Sequence, residues 1–219
     1  MKNFFILMIL ISQYTFADSP LTSTDFYKAY MDIPLVNKTA KSNGVLTNEV
    51  FDFLNSKSNT IDKKIALINA LKWNSNGKNN AALYFKKLLL IHKKYTPFNF
   101  YNKGTAEELI CYSYLKAMDN YFDVSSASVF SKRAYKLNPN SYTIAIVNQL
   151  IKVQMIGSPH DWCEIYRVMN EIRENKKLVI DFRKQASNII FNYTDCYKKY
   201  CTNWYFIKKF IKKNSSIFI

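Results

Sequence analysis

The chain has 219 residues, 31 of them lysine or arginine against 16 aspartate or glutamate, for a formal charge of +15 at neutral pH. That length suffices for one sizeable core or two small ones. The basic surplus points to solubility and to anionic partners and is silent on fold; beyond the N-terminus no apolar run approaches the roughly 20 residues that a membrane-spanning helix needs.

Residues 1–17, MKNFFILMILISQYTFA, place Lys2 before an apolar run from Phe4 to Ile11 and end in the small and polar residues before Asp18. This layout predicts a secretory signal cleaved after Ala17, with residues 18–219 as one exported domain, periplasmic or extracellular.

Only 4 glycines and 5 prolines interrupt the rest, and apolar residues recur at spacings of three and four rather than two, which predicts an all-α fold. Thr22 and Ser23 predict the cap of a short helix through Tyr30. Pro34 opens a second that stops before Gly44, and Thr47 caps a third carrying Val50, Phe51 and Leu54. In the next helix Ile61, Ile65, Ile68 and Leu71 form one stripe. The polar residues 74–80 end it, and a longer helix over 81–95 follows. Residues 96–104 are expected to be a loop and a possible subdivision of the domain. Thr105 and Glu108 then stand at capping-box spacing before a helix through Met118. Asp123 starts a partner ending near Leu137, Ser141 restarts a helix that runs to Gly157, and Ser158 and Pro159 begin another through Ile172. A helix over 178–197 and a last basic one in 203–219 complete about nine to eleven short helices, joined by loops short enough to make antiparallel neighbours.

In the segment SKRAYKLNPNSY, residues 131–142, the separations of Ala127, Ala134 and Pro139 match the second-helix alanines and closing proline of a tetratricopeptide repeat. The LNPNS run resembles the ending of that repeat. The preceding helix departs from the pattern, with Cys111, Tyr114 and Leu115 at the tryptophan, leucine and glycine positions. The resemblance covers one half-repeat and implies helical hairpins stacked in a solenoid-like row, in the manner of tetratricopeptide or HEAT arrays.

Four cysteines, Cys111, Cys163, Cys196 and Cys201, suggest two disulfides in an exported chain, with three possible connectivities. Along a continuous helix Cys196 and Cys201 would lie about 8–9 Å apart, too far to bond. Either the helix breaks within CYKKYC or each cysteine has a distant partner.

Of two histidines, His92 reads as a helical residue beside Lys93 and Lys94, while His160, Asp161, Cys163 and Glu164 cluster in sequence without the further ligands a zinc site needs. Glu107 with Glu108 and Glu171 with Glu174 read as helix-start and solvated-face residues rather than as a facing acid–base pair. The sequence has no phosphate-cradling glycine loop and no nucleophile elbow, so no cofactor, metal or catalytic residue is assigned. At the C-terminus Lys198, Lys199, Lys208, Lys209, Lys212 and Lys213 accompany an apolar stripe of Trp204, Ile207, Phe210 and Ile211. This suits either a solenoid-closing helix or contact with an anionic membrane or cell-wall polymer. Lysine without arginine argues against specific nucleic-acid recognition.

The leading expectation is an exported, non-catalytic helical protein that binds a protein partner, as an immunity or inhibitor protein for a secreted toxin or cell-wall enzyme would. The alternatives are a binder of anionic surfaces through the C-terminal lysines, and an enzyme using His160 or the glutamates.

Overall fold

The computed structural model describes residues 19–156 and 162–201. The expected signal segment, His160 and the segment bearing Lys208, Lys209, Lys212 and Lys213 lie outside the described residues. Within them are eleven α-helices, one 3-10 helix and no β-strand; a single isolated bridge joins Ser141 and Val179 in parallel. None of these helices is long and apolar enough to cross a membrane.

The N-terminal helix differs from expectation. Ser19, not Thr22, caps it by accepting from the Leu21 amide, and α1 (Pro20–Ser23) is a single turn. The Thr24 hydroxyl then donates to the Pro20 carbonyl at 2.6 Å and stays off the helical path, so the chain resumes as a 3-10 helix, Phe26–Tyr30. Next come α2 (Pro34–Ala40), with proline in its first turn, and α3 (Asn48–Asn55), where the Thr47 side chain caps as expected. After α4 (Ile61–Ala70), Lys72 adopts φ 59°, a left-handed C-terminal stop. The Lys78 ammonium closes that end by donating to the carbonyls of Leu71 (2.6 Å), Lys72 (3.0 Å) and Gly44 (3.3 Å). Gly44 is at φ 74° with the Leu71 carbonyl and Lys78 Nζ against it, so no Cβ fits there.

Helix α5 (Asn80–Ile91) stops short of Tyr95, because His92 leaves helical geometry as the C-cap. The expected loop contains one turn, α6 (Phe100–Lys103). Helix α7 (Ala106–Asp119) has the complete capping box of Thr105 and Glu108. It is followed by α8 (Ser125–Leu137), α9 (Tyr142–Gln154) and α10 (Trp162–Glu174). The last described helix, α11 (Lys184–Asp195), starts six residues later than the apolar pattern suggests. Residues 178–182 instead run beside the joint before α9: the Val179 amide donates to Asn140 O at 2.7 Å and the Tyr142 amide to Val179 O at 3.2 Å. Asp181 accepts from the Thr143 amide (2.7 Å) and the Ser141 hydroxyl (2.6 Å), placing a negative charge at the positive end of α9.

Three helices form the centre. Helices α4, α7 and α9 bury residues on most of their circumference, and α9 packs against α1, α4, α7, α8 and α10. From α7 to α11 each helix packs on the next, and Ala127 and Ala134 of α8 are fully buried, the close approach that small residues permit. The two ends of the described chain also meet. The 3-10 helix packs on α11, Phe182 lies edge-on to Phe26 with centroids 5.4 Å apart, and Arg183 forks onto Asp32 while donating to Ala29 O at 2.8 Å.

The cysteines resolve differently from two disulfides. Cys163 on α10 and Cys201 lie 4.7 Å apart at Cα and are at bonding distance, closing a 38-residue separation. Cys111 is buried in α7 and Cys196 is exposed, both free. The helix does break within CYKKYC: α11 ends at Asp195, turns cover residues 196–199, and Tyr200 and Cys201 are helical again. Burial pushes the Cys111 thiol up to about 12, so it is a protonated core residue rather than a nucleophile.

Candidate functional site

Among the described hollows, a cleft of about 540 Å³ concentrates the most chemistry. The end of α3 and its following turn supply Leu54, Asn55 and Lys57, α4 supplies Lys64, and the segment leaving α5 supplies His92 and Lys94. The start of α7 supplies Thr105 to Glu108, and Asn138 enters from the joint after α8. Short polar segments converge here because four helix ends meet, and backbone groups at helix ends face outward for capping or for ligand.

Lys64 sits on the apolar stripe of α4, three residues after Ile61 and four before Ile68, and its side chain is only 4% exposed. Its aliphatic stem lies in the core while its ammonium reaches the cleft floor, where Glu107 Oε2 is 2.6 Å away. The Glu107 side chain is 50% exposed, so the pair is solvated on one side.

Glu108 faces inward. Its Oε2 accepts from the Tyr95 hydroxyl (2.5 Å), the Thr105 amide (2.8 Å) and the Thr105 hydroxyl (2.8 Å), and its Oε1 lies 3.3 Å from His92 Nε2. Burial alone would raise this carboxyl. The hydrogen bonds from Tyr95 and Thr105, with His92 nearby, outweigh burial and hold it below the ordinary glutamate value. Burial, followed by the same carboxylate, pushes the Tyr95 hydroxyl well up. His92 Nε2 is a buried atom that makes no aligned hydrogen bond, despite its closeness to Glu108. The cleft thus offers ammonium groups, one imidazole and side-chain amides, and its hydroxyl, on Thr105, is already committed to Glu108. That set suits recognition of an anion better than nucleophilic chemistry.

Three exposed apolar side chains stand close in sequence to the cleft residues His92 and Lys94. Leu90 is 73% exposed, Ile91 is also exposed, and Phe98, on the loop that carries His92 and Lys94, is 95% exposed. A second, polar hollow of about 410 Å³ lies between residues 75–79 and Asp119 with Asn120. There Asp119 caps α5 by accepting from the Ala81 amide at 2.7 Å, a structural role.

The site residues expected from sequence are dispersed. Glu107 and Glu108 are at the cleft, but Glu108 is a hydrogen-bond hub rather than a helix-start charge alone, and His92 joins it. Glu171 and Glu174 are exposed on α10. Lys198 and Lys199 are exposed past α11, and Lys199 lies over the Tyr200 ring with Nζ 5.1 Å from its centroid. Cys163 is buried and paired with Cys201, so it offers no free thiol. Sequence reasoning missed Lys64; its signal was a lysine on the apolar stripe of an otherwise buried helix. Among the described residues no group of three potential metal ligands gathers.

Comparison with protein-family models, with curated proteins and with solved structures finds no match to this chain.

Proposed function

We propose that this chain is an exported helical binding protein without catalytic groups of its own, which engages a protein partner as an immunity or inhibitor protein engages a secreted toxin or cell-wall enzyme. The observation that carries this reading is that exposed Leu90 and Ile91, at the end of α5, and exposed Phe98, on the loop that follows, flank in sequence the cleft residues His92 and Lys94. Exposed apolar anchors beside polar recognition groups are the make-up of a protein contact surface. Export is supported by the signal-like N-terminus and by the Cys163–Cys201 pair, which suits an oxidising compartment. The run α7 to α11, each helix packed on the next, supports a solenoid-like arrangement for the half of the chain that follows the cleft.

A photo-crosslinking residue at Phe98, compared with one at exposed Val179, tests the reading in extracts of the source cells. A single stoichiometric protein adduct at Phe98 and none at Val179 is expected. Adducts at neither position, together with salt-sensitive binding to anionic vesicles or wall polymer, would overturn it in favour of the surface-binding alternative. That alternative draws on exposed Lys198 and Lys199.

A further inference from the structure

The cleft itself carries a more specific assignment, which rests on the protein-partner reading. Its two carboxylates are internally engaged: Glu107 by Lys64, and Glu108 by Tyr95 and Thr105 with His92 alongside. Two further cations line the same hollow. Lys57 and Lys94 are exposed, and neither forms an ion pair with a described acid. Asn55 and Asn138 add amide donors, and Leu54 and Ala106 add apolar wall. The volume, about 540 Å³, falls within the roughly 300–1,000 Å³ of pre-formed ligand sites.

We propose that this cleft receives a carboxylate-bearing segment of a protein partner, an acidic peptide whose carboxylate is held between Lys57 and Lys94 and whose apolar neighbour packs on Leu90, Ile91 and Phe98. Charge complementarity selects this occupant. The chain carries +15 overall, which steers acidic surfaces toward it. Lys57 and Lys94, the latter with its Nζ 4.8 Å from the Tyr95 ring centroid, form no ion pair with a described acid and match a single carboxylate, whereas the second charge of a phosphate dianion adds to the repulsion from Glu107 and Glu108. Lysine point charges lack the planar fork by which arginine grips phosphate. The exposed apolar side chains of Leu90, Ile91 and Phe98, which flank the cleft residues His92 and Lys94 in sequence, suit the flanking residues of a peptide better than a bare anion.

A fluorescent oligoglutamate peptide, titrated into the full chain at low salt with anisotropy as readout, tests the assignment. The variants are Lys57→Gln with Lys94→Gln, against Lys176→Gln with Lys177→Gln, which alters net charge equally at exposed positions on the α10–α11 connection. The cleft variant is expected to weaken Kd by about tenfold, from two partly exposed charge contacts of roughly 0.5–1 kcal/mol each, while the control stays near the parent value. In the parent, ¹³C-methylated Lys57 and Lys94 should shift on peptide addition. An equal loss in both variants, no peptide binding, or binding of inorganic phosphate or single-stranded DNA in place of oligoglutamate overturns the proposal. Repeating the Phe98 crosslink in the cleft variant separates the two readings. An undiminished adduct sinks the cleft assignment and leaves the partner reading standing, whereas no adduct in parent or variant sinks the partner reading itself.

Discussion

Lys64 and Glu107 form an ion pair whose two halves differ in burial, and substituting each half should have unequal consequences. Glu107→Gln leaves the Lys64 ammonium at the floor of the cleft without its carboxylate, which now lies 2.6 Å away. Removing one partner of a fully buried pair costs about 3–5 kcal/mol. Here Glu107 is 50% exposed and the ammonium reaches a solvated cleft, so screening reduces the expected cost to about 1–2 kcal/mol. Lys64→Met removes the buried charge together with its need for a partner. An unbranched side chain of similar length follows the stem already packed in α4, so the variant should lie within about 1 kcal/mol of the parent or be more stable. Urea unfolding at neutral pH, followed by helical circular dichroism, measures both. Added salt should narrow the Glu107→Gln deficit. If Lys64→Met proves at least as costly as Glu107→Gln, the ammonium contributes something other than a paired charge at the core boundary, and the account of the cleft floor is wrong.

Asn69 is buried in α4, accepts from the Tyr27 amide at 2.9 Å, and donates to Thr24 O (3.2 Å) and the Tyr114 hydroxyl (3.0 Å). Asn69→Leu strands those groups in the core, and denaturant unfolding should show a loss of about 3 kcal/mol or more. The Glu108 carboxyl is held below its ordinary value of 4.5 in the folded state, so its stabilising contribution is complete above that pH and is lost as pH falls through the lower folded value. Glu108→Gln should therefore flatten the acid limb of a stability–pH profile without steepening it near neutrality. An unreduced native sample should label with maleimide at Cys196 alone, with Cys111 reacting only on unfolding. Reduction should lower the urea midpoint, since a cross-link over a 38-residue separation contributes about 4 kcal/mol in the chain-entropy treatment. Each outcome is readable by mass spectrometry or circular dichroism on the intact chain.

Local signals in the sequence were reliable where their physics spans one turn. Thr47, Thr105 and Ser141 cap the helices that follow them, because a hydroxyl two or three residues before an orphan amide needs no help from the rest of the fold. The all-α class followed from apolar spacing for the same reason. The misplaced boundaries have two causes, one local and one tertiary. Thr24 turns its hydroxyl back onto Pro20, and residues 178–182 give up helix to pair with the joint at Asn140 and Tyr142, a contact with a segment distant in sequence.

What the sequence determined alone is therefore the helical class, most helix starts, the basic surplus and the interhelix turn around Pro139. Tertiary structure decided the rest. It paired Cys163 with Cys201, left Cys111 and Cys196 apart, and set Lys64 against Glu107 from 43 residues away. It also brought His92, Tyr95 and Glu108 together from the ends of different helices. Capping and amphipathic periodicity are settled within a turn or two of chain. The choice of partner for a buried charge, a thiol or a helix end depends on which elements pack together, and only the folded core imposes that.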